Sequence, residues 1–208
     1  RAGEIGVIAS LGYASVNAIR RPTVAIVSTG DELLQPGEEH QPGKIYNSNA
    51  YSIASMVTRY GGVPWIIGIA KDTVESLEKL LDDAVNADLV VTSAGVSKGD
   101  YDVVKDVLSL RGEVALWSVR MRPAKPLAFG TLERRDGSVV PHLGLPGNPV
   151  SAMVAFEQFG RPALRLMMGK RQTGKPSIQA VMDDPIHNYD GRRIYARVRV
   201  YKNDNGDY

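Results

Sequence analysis

The chain of 208 residues contains no cysteine. That absence excludes a disulfide framework, a thiol nucleophile and any thiolate metal site. Histidine is almost as scarce. His40, His142 and His187 are the only three, too few for a histidine-rich metal centre, and each reads as structural or exposed rather than catalytic. Aromatic residues make up 7% of the chain and are too scattered to form base-stacking platforms. With a net charge of only +2 and no recognition motif, binding to nucleic acid is excluded. No apolar run approaches the ~18 residues of a membrane span, and no charged-then-apolar leader opens the chain. A cytoplasmic location with no membrane association is therefore expected. Internal repeats and low-complexity tracts are also missing.

What is present points to an ordinary folded core. Hydrophobic residues make up 43%, enough for one domain or at most a domain and a half. The 21 glycines and 12 prolines imply many tight turns. The small net charge hides a split: residues 1–119 hold 10 Lys/Arg against 15 Asp/Glu, and residues 120–208 hold 15 against 8. Carboxylates are thus expected in the first half of the chain and anion-binding groups in the second. The chain opens on Arg1 and ends at Asp204-Asn-Gly-Asp-Tyr208, directly after a strand-like run. It reads as a piece of something longer.

Thr23–Ser28 is a continuous apolar, β-branched run, as expected of a strand buried on both faces. A Pro/Gly-rich loop follows, then a helix from Asn49 to Tyr60 stopped by Gly61-Gly62. Pro64–Ala70 and Asp88–Ser93 read as further buried strands. Between them, Asp72–Asn86 places Val74, Leu77, Leu80, Leu81, Ala84 and Val85 on one helical face. A glycine loop and a helix through Val103, Val104, Val107 and Leu108 come next. Glu113–Val119, Pro126–Leu132 and Val139–Leu145 follow as strands, the last two joined by an Asp136-Gly137 hairpin turn. Asn148-Pro149 then opens a long helix running to Met168, disturbed at Gly160-Arg-Pro162. The alternation implies an α/β fold: a three-layer, mostly parallel sheet with helices on both faces and an antiparallel hairpin. Residues 1–20 read as the end of a preceding domain, 21–172 as the α/β domain, and 177–208 as the start of a small β-rich domain with strands at Ser177–Met182 and Ile194–Tyr201.

In such sheets ligands bind beyond the carboxyl ends of the strands, so the loops there were weighed first. Gly95-Val96-Ser97-Lys98-Gly99 matches the nucleophile-elbow pattern, but no helix starts directly after the serine. It reads better as a glycine turn whose N–H groups cradle an anion. Gly169–Lys175 fits most of a P-loop, yet Pro176 stands where Ser or Thr is required and a helix precedes it, so it reads as a basic linker. Thr29-Gly30-Asp31-Glu32 offers two carboxylates at a strand end. They suit a divalent metal or a ligand hydroxyl, and equally a plain turn. Asp72 opens Asp72-Thr-Val-Glu75, a capping box that by itself explains the residue, and Asp102 has the look of an N-cap. Both stand at the ligand edge, where a cap can also face metal or phosphate. Arg120-Met-Arg122-Pro-Ala-Lys125-Pro126 sets three cations on a proline-stiffened loop suited to a fixed anion. Pro146-Gly147-Asn148-Pro149-Val-Ser151 is a strand-to-helix turn with a good N-cap in Asn148, a glycine permitting close approach, and the Ser151 hydroxyl near a helix N-terminus.

Together these segments resemble one family. Ser28-Thr-Gly-Asp-Glu-Leu33, Asn47-Ser-Asn49, Ser93–Asp102, Met121–Gly130 and Leu145–Ser151 follow in order and spacing the motifs of molybdopterin molybdenumtransferases, the MoeA and gephyrin E-domain type. The resemblance spans roughly residues 20–170. It implies the last step of molybdenum cofactor biosynthesis: molybdate enters adenylylated molybdopterin, the pyrophosphate linkage is cleaved and AMP leaves, with Mg²⁺ as the cation. It implies metal and catalytic roles for Asp72 and Asp102, and catalytic anion-binding roles for Arg122 and Lys125. Thr29, Gly30, Asp31, Glu32, Asn49, Gly95, Val96, Ser97, Lys98, Gly99, Pro146, Gly147, Asn148, Pro149 and Ser151 would line the substrate pocket, with further anion contacts from Arg193 and Arg197. It also implies a homodimer in the full-length protein and a molybdopterin adenylyltransferase as partner. The alternatives are that adenylyltransferase activity itself, or a non-catalytic scaffold of the same fold. The sequence departs from the family pattern at Ala94 and Ala124, where glycine is usual, and at Lys98, where a small apolar residue is usual.

Overall fold

The computed structural model describes residues 2–94 and 101–202. Helix α1 (Ala2–Ser10) buries none of its residues. It forms despite Gly3 and Gly6, since glycine in a helix costs only about 1 kcal/mol each. Strand β1 (Thr23–Thr29) is buried at six of its seven positions. The Pro/Gly loop beyond it carries two short strands, β2 (Leu33–Leu34) and β3 (Ile45–Tyr46), paired in parallel. They exist because Ile45 N donates to Glu32 O and Asn47 N to Leu34 O, both at 2.8 Å.

Helix α2 (Ser48–Arg59) is capped by Asn47. Strand β4 (Val63–Ala70) leads to α3 (Val74–Ala84), whose cap is Thr73 rather than Asp72. Thr73 is extended and its Oγ1 accepts from Ser76 N at 3.3 Å, while Ser76 Oγ accepts from Lys71 N at 2.9 Å. Two adjacent residues could each cap this helix; threonine takes the position and leaves the aspartate free. Strand β5 (Leu89–Ser93) is followed by residues 95–100, outside the described residues, and by α4 (Tyr101–Leu110). Asp102 stands in the first turn of α4 instead of capping it.

Strands β6 (Gly112–Ser118), β7 (Met121–Arg122), β8 (Pro126–Glu133) and β9 (Val139–Leu145) come next. The β8–β9 turn is the expected one, with Gly137 at φ 80° and Asp136 accepting from Ser138 N. Helices α5 (Pro149–Ala155) and α6 (Arg161–Met167) are joined by a π turn over Phe156–Gly160. The widened turn accommodates Pro162, which has no N–H to donate and whose ring would clash in a tight helix.

The main sheet has the order β4-β1-β5-β9-β8-β6. Strands β4, β1, β5 and β9 run parallel, and β8 is antiparallel to β9 and to β6. Alternate residues divide between two cores. Val24, Ile26, Leu89 and Val91 pack against Ala50, Ile53 and Val57 of α2 and against Ala152, Phe156 and Leu164. Ala25, Val27 and Val90 pack against Leu77, Leu81 and Ala84 of α3 and against Val107 and Leu108 of α4. Each fully buried leucine contributes about 2 kcal/mol. This is the three-layer α/β fold expected.

The C-terminal segment departs from expectation. Among the described residues, Ser177–Met182 carries no strand, and residues 194–201 contribute only the end of β10 (Arg193–Ile194), which pairs in parallel with β7. An apolar alternation forms a strand only beside a partner that takes its N–H and C=O groups, and this segment has no such partner here.

Candidate functional site

Strands β1, β5 and β9 end side by side, and a cleft of about 280 Å³ opens beyond their carboxyl ends. Ser28 is the penultimate residue of β1, Ser93 ends β5 and Ala94 follows it, and Gly147, Asn148 and Pro149 follow β9; the start of α2 supplies Asn47, Ser48 and Asn49. Glu32, Leu33, Ile45 and Tyr46 form the remaining wall. Of the residues expected at the site, Glu32, Asn49, Gly147, Asn148 and Pro149 line this cleft.

Asn49 is the tie between its walls. Its Nδ2 donates to Ser93 Oγ at 2.8 Å and to Gly147 O at 2.7 Å. Asn47 Oδ1 accepts from Ala50 N at 3.3 Å and from Ser28 Oγ at 3.0 Å. Asn148 caps α5, accepting from Ser151 N at 3.2 Å. Pro146 is buried just behind the cleft, and Thr29 is buried beside it with its Oγ1 unpartnered among the described residues. Sequence reasoning had picked neither Ser28, Ser93 nor Asn47 as site residues. The Asn-Ser-Asn spacing at a helix start was the one signal that pointed to Asn47.

Gly30 has φ 143° and carries the Glu32 carboxylate folded against it; a Cβ there would lie 2.3 Å from Glu32 Oε2. Only glycine leaves that space and that conformation. Next to it, Asp31 and Asp72 exchange hydrogen bonds. Asp31 N donates to Asp72 Oδ2 at 3.1 Å and Asp72 N to Asp31 Oδ1 at 3.2 Å. Lys44 Nζ donates to Asp31 O at 2.5 Å. Freed from capping, Asp72 is paired across 41 residues with the carboxylate at the end of β1. No group of three or more acidic or histidine side chains suited to a metal exists among the described residues. Mg²⁺ does not need one, since it binds through one or two carboxylates together with water and substrate phosphates. Asp31 and Asp72 fit that donor chemistry. The carboxylate of Asp102 and the Gly95, Val96, Ser97, Lys98 and Gly99 loop lie outside the described residues.

The cationic loop reaches the same edge by a different route. Ala128 pairs with Gly144, and Ser118 with Pro126, so residues 119–125 project beyond the end of β9. Arg122 and Lys125 are exposed there and do not line the cleft itself. Met121, Ala124 and Leu127 anchor the loop in the core. Arg193 N donates to Arg120 O at 2.9 Å and Tyr195 N to Arg122 O at 2.8 Å, which sets Ile194 opposite Arg122 and Arg193 opposite Met121. Arg197 is elsewhere, on a separate groove formed by residues 180–201. Ala94 (φ 75°) and Ala124 (φ 71°) are the positive-φ non-glycine residues among those described. These are the two positions where the sequence departs from glycine.

Behind the site, the linker after α6 is held down. Arg161 donates to Thr173 O at 2.8 Å and Gly174 O at 3.1 Å, and Arg165 to Gln172 O at 2.7 Å. Lys175 Nζ lies 2.5 Å from Glu157 Oε1, and Tyr60 donates to the same carboxylate. Burial opposes ionisation of Glu157, but the Lys175 and Tyr60 hydrogen bonds and the Lys175 and Arg161 charges hold its pKa below the usual value. The stretch that imitated a P-loop is thus a strap on the helix.

A mostly parallel sheet with a polar cleft at its strand ends, carboxylates beyond β1 and a braced cationic loop beyond β9, has the layout of a ligand-binding α/β domain. Residues 25–166 match the family model described as a probable molybdopterin binding domain, and the chain belongs to that family. It is 40% identical over 195 residues to a molybdopterin molybdenumtransferase of Nostoc, covering 92% of this chain and 44% of the relative. It is 37% identical to one from Haemophilus influenzae, covering 98% and 50%. A solved molybdopterin biosynthesis MoeA protein of Pyrococcus superposes with a TM-score of 0.71 at 33% identity, over 82% of this chain and 41% of that one. The chain spans about half the length of the curated relatives it matches.

Proposed function

We propose that this chain supplies the substrate-binding half of an enzyme that inserts molybdate into adenylylated molybdopterin. Water attacks the P–O–P linkage of the substrate, AMP leaves and the pterin keeps a phosphate; the two dithiolene sulfurs then replace oxygen of molybdate, their protons leaving with that oxygen as water. The observation that supports the reading is that two opposite charge sets flank one strand edge: Asp31, Glu32 and Asp72 beyond β1 and β4, and Arg122 and Lys125 beyond β9. Molybdate and pyrophosphate are anions and need the cations; a divalent ion bridging phosphate oxygens needs the carboxylates. Asp72, together with Asp102, would hold Mg²⁺, which neutralises charge on the leaving phosphate when bound. Asp31 sets the orientation of Asp72 through their reciprocal bonds. Arg122 and Lys125 would receive molybdate or phosphate, and Arg193 on the neighbouring β10 would add a contact.

The same reading carries a homodimer in the full-length protein, a cytoplasmic location, and supply of the adenylylated substrate by an adenylyltransferase. The test is molybdate-dependent AMP release by the full-length protein. Asp72→Asn and Lys125→Ala should each lower the rate on the order of 100-fold. Rates unchanged in both variants would remove the carboxylate and cation roles.

A further inference from the structure

Lys44 stands on the far arm of the Pro/Gly loop, 13 residues after Asp31, and its half-buried side chain folds back so that Nζ donates to Asp31 O. Surface lysines ordinarily leave the ammonium in water, and this one gives up rotamer freedom to hold a single carbonyl. The local backbone explains why. Gly30 to Leu33 is a turn, closed by Leu33 N donating to Gly30 O at 3.2 Å. Its middle peptide, Asp31–Glu32, has no partner inside the turn. Among the described residues no backbone N–H donates to Asp31 O. The middle peptide is also the one that rotates when a turn changes type. Lys44 thus holds the one peptide of this turn that the backbone leaves free.

Lys44 is itself placed by the loop. Lys44 N donates to Gln41 O at 3.1 Å, and Ile45 N to Glu32 O at 2.8 Å. From Asp31 the bonds run on to the second carboxylate: Asp31 N donates to Asp72 Oδ2, and Asp72 N to Asp31 Oδ1. One oxygen of each carboxylate is taken up by a backbone N–H, which sets the direction of the other. We propose that Lys44 is a positioning residue for cation binding, holding the Asp31–Glu32 peptide so that Asp31 can orient Asp72. This rests on the reading that Asp72 holds a divalent ion. The two effects of the side chain have opposite signs. Its ammonium, bonded to the backbone of a carboxylate residue, repels a divalent ion, so on charge alone its removal tightens binding. As an orienting group, its removal weakens binding, as loss of a partner behind a metal ligand does.

The test uses the full-length protein, with Mn²⁺ as the probe followed by electron paramagnetic resonance and the Mg²⁺ dependence of AMP release alongside. Lys44→Met keeps most of the stem and loses the donor. Its Mn²⁺ Kd and its Mg²⁺ concentration for half-maximal AMP release should each rise on the order of 10-fold. Lys44→Arg can reach the same carbonyl and should restore both values to near wild type. Thermal unfolding should give both variants the wild-type midpoint, since Lys44 lies outside both cores. Wild-type protein that binds no Mn²⁺, or Asp72→Asn that binds it equally well, would sink the carboxylate reading and this inference with it. Unchanged or tighter Mn²⁺ binding in Lys44→Met would overturn the inference alone. So would Lys44→Arg binding as weakly as Lys44→Met, or a clearly lower midpoint in Lys44→Met, because the loss would then report on the fold.

Discussion

His142 offers a test of how the core sets stability. It lies in β9, fully buried, with Nε2 3.0 Å from Thr92 Oγ1 and Nδ1 unpartnered among the described residues. Burial pushes its pKa down to about 3, so the folded protein holds the ring neutral. The unfolded chain protonates it at an ordinary pKa of ~6.5. Between those two values the unfolded state binds more protons, so stability rises with pH and is lost as pH falls. From pH 7 to pH 5 the loss is about 2 kcal/mol, or roughly 4–8 °C in melting temperature for a chain of this size. Asp82 and Asp88, whose pKa values are lowered chiefly by hydrogen bonds from Arg111 and Arg20, lose their contributions only below this window. Urea unfolding at pH 7, 6 and 5 measures the slope. His142→Gln keeps a polar partner for Thr92 and removes the titration, so its slope should be flatter by that amount. Wild-type and variant slopes that coincide would refute the reasoning.

Two other outcomes follow from local geometry. Ala94→Gly and Ala124→Gly should each stabilise the fold by about 1 kcal/mol, because alanine is strained at positive φ; equal or lower unfolding midpoints would show that the strain is absorbed elsewhere. Arg161→Met removes the bonds to Thr173 and Gly174 and should speed tryptic cleavage at Lys170 and Arg171 several-fold while the sheet core stays resistant. Unchanged cleavage would mean the strap does not depend on it.

Much of the domain was legible because its signals are local. Thr23–Ser28 and Asp88–Ser93 read as buried strands from composition alone, α3 from its leucine spacing, and the start of α5 from Asn148-Pro149. The features that escaped depend on distant partners. Strands β2 and β3 are two residues each and exist only through bonds across a Pro/Gly loop. The strand beside Arg122 comes from residues 193–194. At Asp72 two rules competed: an Asp-Thr pair can cap through either residue, and nothing local chooses threonine. The strand-edge rule and the motif series each point to single residues, Glu32 and Gly147 among them, and Asn49 comes from the motif series alone; neither gives contacts between distant segments, so the Asp31–Asp72 exchange escaped both. Ala94 and Ala124 were visible as departures from glycine, and only the backbone angles gave them meaning.

The pairing of β7 with β10 has a consequence for the order in which this protein is made. Arg122 leaves the ribosome about 70 residues ahead of Ile194, and at ~5–20 residues per second that interval is several seconds. Through it the sheet can assemble while the arginine segment still lacks its neighbouring strand. A fragment cut at the limits of the family match, residues 25–166, stays in that earlier stage permanently: it keeps the cleft and the carboxylates but not the strand that braces Arg122.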